Sequence, residues 1–428
     1  MSLALALALL LSAAPARAET DVYIKLAGQG GAAVLPLGLP PFIAQDPAKT
    51  ADALLAKQAQ DLVRADLMLS RYFNIMEDGP HFDGANVAAI APDWKKRGAA
   101  WILLVQVSAP EKKLSISAKL YDVNSGETIF ERYYRQDADF LRAASHRLSD
   151  DLVKALTGKN GIAHTEIAFA NDQNGHKEIF MADYDGANVR QLTHDASIDL
   201  LPRFSPDRKL LAFTTYKENN PDLFMLDLEH GKRLPVSQEQ GLNIAGGFSP
   251  DGTQLLMTLS RERSPNLYVR NMTDGSVTQL TQHFGADSSP TFSPDAGQVA
   301  FVSDRSGNPQ IYMLDMTTQR AKRLTNLNWC DSPSWSPTGE WIAFAGRVNV
   351  KDHLDIYLVD VTGNQIRQLT RLAGSNENPS WSPDGRFLVF TSTRDNKKPE
   401  LFIMDNDGSA PHRLVELPGG SYTPNWSD

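Results

Sequence analysis

A short motif recurs six times in the second half of the chain, and each copy starts with an aromatic residue followed by serine. Successive aromatic residues are 44, 44, 43, 46 and 45 positions apart. They are Phe204, Phe248, Phe292, Trp335, Trp381 and Trp426. A unit of this length is typical of the four-stranded blade of a β-propeller. The period strongly constrains the fold, because such a unit buries its apolar faces only against neighbouring copies.

Within each unit the sequence predicts four strands. The serine opens a Ser-Pro-Asp-Gly turn or a close variant, in which proline presets φ and glycine accepts a positive φ. An apolar strand follows, such as 210–213, and then a second strand that ends in aspartate, such as 223–227. A last strand carries Arg-Leu-Thr or Gln-Leu-Thr, and the β-branched and aromatic content of all of them favours strands. We therefore interpret the serine motif as turn chemistry and not as catalysis.

The strand count predicts how the propeller closes. Three strands, 167–170, 179–182 and 189–193, precede Phe204 without a first strand of their own. One first strand, 423–426, follows the last complete unit. Together they make a sixth blade, and pairing the two ends removes the exposed edges of an open array. We expect residues 165–428 to form a six-bladed β-propeller closed by the C-terminal strand.

Residues 19–158 lack this period and are expected to form a small α/β domain. Thr50 is a candidate cap for a helix whose apolar positions include Leu54 and Val63. The apolar run 100–107 predicts a central strand, and 114–135 reads as a hairpin. A last helix is expected to place Phe140, Ala144, Leu148, Leu152 and Ala155 on one face and to stop at Gly158. Residues 159–164 are a short linker.

Residues 1–18 read as a signal peptide. Leu3 to Leu11 is an apolar run too short to span a bilayer. The sequence Ala16-Arg17-Ala18 matches the site read by signal peptidase, so we expect the mature chain to begin at Glu19. The alternative is a short buried helix. No cysteine follows the cleavage site, which is not the pattern of a lipoprotein.

The composition excludes several classes of partner. The formal net charge is −9 and no basic cluster occurs, so we expect neither nucleic-acid binding nor direct membrane insertion. Cys330 is the only cysteine, which excludes an intrachain disulfide. The mature protein is expected to be a monomer in the exported compartment.

No motif for reaction chemistry occurs in the sequence. It has no Gly-x-Ser-x-Gly elbow, no phosphate loop, no His-Glu-x-x-His and no Cys-x-x-Cys, and its nine histidines are scattered. We therefore expect no enzymatic activity, no cofactor and no metal. Acidic residues from different blades could still assemble a metal site or an acid–base pair.

The best candidate for a functional site is the mouth of the central channel. In a propeller the first strand of each blade lines the channel, and loops on a rigid scaffold commonly carry binding. The positions just before each aromatic residue are polar and rich in acids. We expect this ring to bind a partner through Asp199, Asn243, Asp287, Ser288, Ser289, Trp329, Asp331, Ser332, Asn376, Glu377, Asn378, Tyr422 and Thr423.

Taken together, these features resemble the TolB family of the Gram-negative Tol–Pal system. The resemblance rests on the export signal, the order of the two domains, the repeats and the Trp-Ser ending, and on a junction formed by Leu156-Thr-Gly158 and 165–169. It implies a non-enzymatic periplasmic adaptor that binds the lipoprotein Pal at the propeller mouth and supports envelope constriction and outer-membrane integrity during division. It also implies that some colicins use the mouth and that TolA contacts the mature N-terminus, here Glu19, Thr20, Asp21, Val22 and Tyr23.

Two alternatives stay open at this point. An exported propeller hydrolase or lectin would also place its site at the mouth. The propeller of a prolyl-oligopeptidase-like enzyme has similar repeats, but that class needs an α/β-hydrolase domain, which this sequence does not contain. One departure from the family pattern is Gly246, which stands where proline is common and predicts a differently shaped loop in that blade.

Overall fold

The structure of the chain, a computed structural model, describes residues 34–428 except 47, 85, 262–263 and 396–397. The predicted signal peptide and the segment 19–23 lie outside the described residues. The α/β domain followed by a six-bladed β-propeller is confirmed.

The N-terminal domain is built on one mixed sheet with the strand order β3-β1-β4-β5-β6, to which β2 adds by pairing with β4. Strand β1 is parallel to β3 and β4, whereas β4, β5 and β6 are antiparallel. The strands are β1 (Leu35–Gly38), β2 (Ile43–Ala44), β3 (Phe73–Met76), β4 (Trp101–Ser108), β5 (Lys113–Asp122) and β6 (Thr128–Asp137).

Helices cover both faces of this sheet. Helix α1 (Thr50–Ser70) and helix α3 (Leu141–Thr157) share one apolar core with the sheet. Helix α2 (Val87–Lys96) packs Trp94 against Ile102 of β4 in a second cluster. Two 3-10 turns, Pro110–Lys112 and Ala138–Phe140, complete the domain.

Several details of the predicted helices are wrong. Lys49, not Thr50, is the N-cap of α1, and no side chain caps that helix. Leu54 is 57 % exposed and Phe140 is 55 % exposed, because Leu54 faces away from the sheet and Phe140 precedes the last helix. Ala155 is exposed as well, and the buried face runs instead through residues such as Leu148 and Leu152.

The propeller contains six four-stranded antiparallel sheets, which we number blades 1 to 6 from Asp199. In blade order, the innermost strands are Asp199–Phe204, Asn243–Phe248, Asp287–Phe292, Trp329–Trp335, Asn376–Trp381 and Ser421–Trp426. The second strands are Leu210–Thr215, Gln254–Leu259, Gln298–Ser303, Trp341–Arg347, Phe387–Ser392 and Glu166–Asn171.

The outer half of each blade follows the same order. The third strands are Asp222–Asp227, Asn266–Asn271, Gln310–Asp315, Asp355–Asp360, Glu400–Asp405 and Glu178–Asp183. The outer strands are Arg233–Ser237, Val277–Gln279, Ala321–Arg323, Ile366–Gln368, His412–Arg413 and Arg190–Gln191. Blade 6 therefore joins the last strand of the chain to the first three strands of the propeller.

This junction in blade 6 is built as tightly as the others. Trp426 pairs with Ile167 in the ladder and is 5 % exposed. Its indole Nε1 donates a hydrogen bond of 2.8 Å to the Thr165 hydroxyl, and its backbone N–H donates to Ser380 Oγ of blade 5 at 3.0 Å. The last strand thus contacts both its own blade and its neighbour.

The serine motifs form turns held by side-chain hydrogen bonds. In four blades the serine hydroxyl donates to the aspartate two residues later; for Ser205 and Asp207 the distance is 2.7 Å. The same hydroxyl accepts the backbone N–H of Leu210, where the second strand begins. The hydrogen bond from the Ser205 hydroxyl is the main reason why the pKa of Asp207 is lowered.

The aromatic residues beside these turns lie between blades. Trp381, for example, packs in one cluster with Ala343 and Ile356 of blade 4.

The N-terminal domain sits on the end of the propeller that carries these turns. Arg71 pairs with Asp405 of blade 5, and Arg142 pairs with Asp183 of blade 6. The connecting residues Ile162 and Ala163 are buried in an apolar cluster of blades 5 and 6. Because the innermost strands start at the other end of the channel, the mouth faces away from these contacts. No helix in the described part of the chain is long and apolar enough to cross a membrane.

Candidate functional site

Each innermost strand contains a β-bulge just inside the mouth. The ladder register shifts in all six blades, two to three residues before the aromatic residue in five of them and one to two residues before it in blade 2. In five blades the bulged residue has a positive φ between 49° and 56° and is followed by proline; these residues are Leu201, Ser289, Ser332, Asn378 and Thr423. A non-glycine residue in this region costs on the order of 1 kcal/mol, and bulges of this kind re-aim side chains near functional sites.

Blade 2 departs from this pattern, as Gly246 predicts. Its equivalent residue, Ala245, does not have a positive φ and is 2 % exposed. A Cβ on Gly246 would lie 2.5 Å from the carbonyl oxygen of Pro290 in blade 3. The channel wall is therefore closer packed between blades 2 and 3 than a proline would permit.

Four of the predicted mouth residues are buried at the first position of their strands. Asp199, Asn243, Asp287 and Asn376 have no exposed surface. Asp287 accepts two hydrogen bonds from Arg305, and Asn376 accepts one from Arg394. These side chains join neighbouring strands and loops, so a docking surface must be formed by the other nine predicted residues.

Asp199 lacks the arginine that its equivalent Asp287 has. The residue that follows the second strand at this place is Lys217, and it pairs with Asp195 instead. Burial raises the pKa of Asp199 from 3.8 to about 6; the Thr215 and Thr193 hydroxyls oppose the rise, and the nearby Glu178 carboxylate adds to it. Asp199 is thus a buried acid that the fold keeps partly protonated near neutral pH.

The next two positions of the innermost strands bring the remaining polar residues to the mouth. The innermost strand of blade 4 begins one residue earlier than the others, so its positions are counted from Cys330. The second positions carry Ser288, Asp331, Glu377 and Tyr422, all partly exposed. The third positions are the bulged residues, of which Ser289, Ser332, Asn378 and Thr423 belong to the predicted set and line the channel. Asn378 Nδ2 donates to Ser332 Oγ at 3.0 Å, and this bond links blades 4 and 5.

Blades 4 and 5 form the acidic side of the mouth. Burial raises the pKa of Asp331; its Oδ1 accepts the Ser332 N–H at 2.6 Å, which opposes the rise, and the charge of Glu377 adds to it. Glu377 Oε1 accepts a hydrogen bond of 2.7 Å from Ser375. Neither carboxyl group forms an ion pair with a cation in the described part of the chain, so both offer acceptors to a partner that brings basic or N–H groups.

The two predicted aromatic residues are held by cations and hydrogen bonds. The guanidinium of Arg347 lies 5.5 Å from the ring centre of Trp329. The Lys177 ammonium lies 4.2 Å from the ring centre of Tyr422, and the Tyr422 hydroxyl donates to Asp172 at 2.9 Å. Burial and Asp172 raise the pKa of Tyr422 to about 12. Both rings are fixed in orientation and keep part of their surface exposed.

The mouth also has an apolar component that the sequence reasoning missed. Leu200 and Ile244 occupy the second positions in blades 1 and 2, where the other blades have polar residues or tyrosine. Large exposed apolar side chains stand on the loops around the mouth: Ile198, Tyr216, Phe284, Val348, Val350 and Leu372. We call these six residues the apolar rim. Phe284 is 85 % exposed, and bulky apolar residues inside otherwise polar turns are the sequence signal that would have revealed them.

The mouth offers carboxylates, amides and apolar side chains for binding. In the described parts of the chain, no three histidine, cysteine, aspartate or glutamate side chains are placed to hold a metal ion. Cys330 is buried at the position of blade 4 that is equivalent to Asp287, and burial raises the pKa of its thiol to about 11, so the thiol is not a poised nucleophile. The arrangement is suited to docking a protein surface through carboxylates, amides and apolar side chains.

Both domains match family models of known proteins. Residues 153–428 match the profile of the TolB beta propeller domain, and residues 23–129 match the TolB amino-terminal domain. A protein TolB homolog from Chlorobium chlorochromatii is 34 % identical over 168 residues, which is 38 % of each chain. A Tol-Pal system protein TolB from Geobacter sulfurreducens is 33 % identical over 166 residues, 37 % of this chain and 38 % of that one. The matched segments thus span about two fifths of these relatives.

A solved structure extends the similarity to nearly the whole chain. The crystal structure of TolB from Acinetobacter baumannii superposes with a TM-score of 0.78 at 26 % identity, and covers 92 % of this chain and 97 % of that one. The propeller profile alone matches more than half of the chain. The chain therefore belongs to the TolB family.

Proposed function

We propose that this chain is a non-enzymatic adaptor of the Tol–Pal system in the periplasm. In this proposal the mouth of the propeller binds a Pal-like lipoprotein, and the segment 19–23 binds a TolA-like protein. The complex would couple the inner and outer membranes during division, and colicins could use the same mouth. The names of relatives such as the Tol-Pal system protein TolB of Geobacter sulfurreducens support the assignment to this system.

The observation that carries the proposal is the composition of the mouth. It combines the carboxyl groups of Asp331 and Glu377 with the apolar rim, on the end of the propeller that the N-terminal domain does not contact. Apolar anchors surrounded by polar groups are typical of protein–protein interfaces. The bulges hold the third-position side chains in fixed directions, which lowers the entropy lost on binding.

The mouth can be tested with a matched pair of triple variants. The purified mature protein is titrated with the periplasmic domain of Pal by calorimetry. The mouth variant carries S288A, D331N and E377Q. The control variant carries S276A, D274N and E229Q, which make the same chemical changes at exposed residues on the turn side. We expect at least tenfold weaker binding for the mouth variant and unchanged binding for the control.

The other outcomes count against the proposal in different ways. Equal binding by both variants would remove the mouth as the Pal site. Absence of binding by the unmodified protein would remove Pal as the partner. Turnover of a glycan or peptide substrate that both triple variants retain would contradict the non-enzymatic assignment.

A further inference from the structure

Arg203 is a charged residue in a layer of the channel that is otherwise small and polar. It stands directly before the aromatic residue of blade 1 and pairs with Ala212 of the second strand. The equivalent residues in blades 2 to 6 are Gly247, Thr291, Ser334, Ser380 and Asn425. Equivalent positions in successive blades lie at one height around the axis, so these six residues form one ring, which we call the Arg203 layer.

The guanidinium of Arg203 has no carboxylate partner among the described residues. Its Nε donates to the Gly246 carbonyl at 2.9 Å, and its Nη1 donates to the Pro202 carbonyl at 2.8 Å. A guanidinium has five N–H donors, so several remain available. Burial lowers the pKa of Arg203 to about 10, which leaves the group charged at neutral pH. The side chain is partly buried in the channel wall, and a charge that is withdrawn from bulk water without a counterion is costly.

The space in front of this charge can hold a ligand. The channel encloses about 290 Å³, and all members of the Arg203 layer line it. One water in the liquid occupies roughly 30 Å³, so the volume is sufficient for a small anion with a few waters. The acid that lines the same channel is Asp428. Burial raises the pKa of Asp428, and the cation that opposes this rise is Arg208, not Arg203.

Hydroxyl donors complete the layer. The Thr291 and Ser334 hydroxyls form no side-chain hydrogen bond with any described residue, and both line the channel. The Ser380 hydroxyl accepts the Trp426 N–H at 3.0 Å, which leaves its own proton free to donate. Gly247 adds room, because a Cβ there would meet no atom closer than 3.9 Å.

We propose that the channel binds a small oxyanion at the Arg203 layer, with the Arg203 guanidinium as the main donor and the hydroxyls of Thr291, Ser334 and Ser380 as further donors. Charge-assisted hydrogen bonds from arginine to carboxylate or phosphate oxygens are short and strong, and the fork matches these anions in shape. The site lies inside the propeller, below the mouth, and does not depend on the partner proposed above.

The test is a titration of the purified mature protein with sodium phosphate and, separately, with sodium acetate. Ionic strength is held constant with chloride, and binding is followed by calorimetry and by the midpoint of thermal unfolding. We expect saturable binding of phosphate or acetate, and the stronger of the two shows whether a phosphate or a carboxylate is preferred. R203Q should weaken binding at least tenfold. R320Q, which removes an exposed arginine on the turn side of blade 3, should leave it unchanged.

A second variant keeps the test decisive if R203Q does not fold. The double variant T291V/S334A preserves side-chain size and the arginine, and should weaken anion binding at least threefold. Failure of both anions to bind the unmodified protein saturably would overturn the proposal. Binding by folded R203Q within twofold of the unmodified protein would overturn it as well, as would unchanged binding by T291V/S334A when R203Q cannot be measured.

Discussion

The Tyr184 hydroxyl of the propeller donates a hydrogen bond of 2.8 Å to Oδ1 of Asp66 in helix α1. The other oxygen of Asp66 accepts from Ser149 at 2.7 Å and lies 2.8 Å from Nδ1 of His146. All four side chains are buried. Burial and the Asp66 charge raise the pKa of Tyr184, so the hydroxyl keeps its proton and stays a donor. The two domains thus share one buried polar cluster.

The substitution Y184F should loosen the contact between the domains. It removes one hydrogen bond and leaves a buried carboxylate with fewer donors, which costs about 1–3 kcal/mol. We expect faster tryptic cleavage after Lys159, which is exposed beside the interface. Y134F is the control, since the Tyr134 hydroxyl donates to Asp151 within the N-terminal domain at 2.6 Å. Equal cleavage rates in the two variants would contradict an interdomain role for Tyr184.

The substitution D199N should stabilise the protein at pH 7.5. Because the folded state raises the pKa of Asp199 to about 6, this group stabilises the fold at low pH, and that contribution is lost as the pH rises through about 6. Asparagine does not ionise, and it already occupies the equivalent positions 243 and 376. The expected gain is up to about 3 kcal/mol at pH 7.5 and should vanish towards pH 4.

The matched control for this prediction is D287N. Asp287 is equally buried but pairs with Arg305 at 2.8 Å, so its replacement leaves an arginine without its partner. We expect a lower free energy of unfolding at pH 7.5. Denaturant unfolding of the three proteins at pH 4 and pH 7.5 measures both effects. A destabilised D199N at pH 7.5 would contradict this account of the junction between blades 6 and 1.

The substitution W426A should weaken the closure of the propeller. Removing a buried tryptophan costs about 3–5 kcal/mol through lost packing and a cavity. T165V removes the hydroxyl that accepts from the indole and donates to the Ile162 carbonyl at 2.7 Å, and should cost about 2 kcal/mol. Denaturant unfolding gives both values. Closure by the last strand would be contradicted if W426A unfolded at the same denaturant concentration as the unmodified protein.

The substitution L372S tests the apolar rim. Leu372 is fully exposed on the loop before the innermost strand of blade 5, so its loss should not change the midpoint of thermal unfolding. If it is an anchor, binding of the Pal periplasmic domain should fall at least tenfold. L234S is the control, because Leu234 is 45 % exposed on the outer strand of blade 1, away from the mouth. A similar loss of binding in both variants would remove the rim from the interface.

The repeat predicted the propeller well because each motif has a local cause. The Ser205 hydroxyl donates a hydrogen bond to Asp207 and accepts one from the backbone N–H of Leu210, where the next strand begins. The turn is therefore encoded within a few residues. The shape of the mouth depends on longer-range relations. Whether a buried first-position acid has a cationic partner depends on the loop that follows the next strand. Arg305 pairs with Asp287, whereas Lys217 pairs with Asp195 and not with Asp199.

The N-terminal domain also shows what the sequence could not predict. The apolar spacing predicted α1 and α3, but Leu54 faces away from the sheet and Phe140 precedes α3, so both side chains are exposed. Helix α2 was not predicted, since Pro92 within Val87–Lys96 obscures its pattern. The positive φ of residues such as Leu201 and Ser332 could not be predicted either, because leucine and serine have no preference for that conformation.

If the mouth of the propeller is the surface that binds the partner, a bound Pal domain should protect its backbone amides from exchange. Hydrogen exchange of the backbone amides, measured on the mature protein alone and with a Pal periplasmic domain, tests it directly. We expect slower exchange in the complex for segments 194–201, 282–289, 329–333 and 371–378, and unchanged exchange for the turns 206–208, 250–252 and 294–297. Protection confined to those turns or to the N-terminal domain would contradict it.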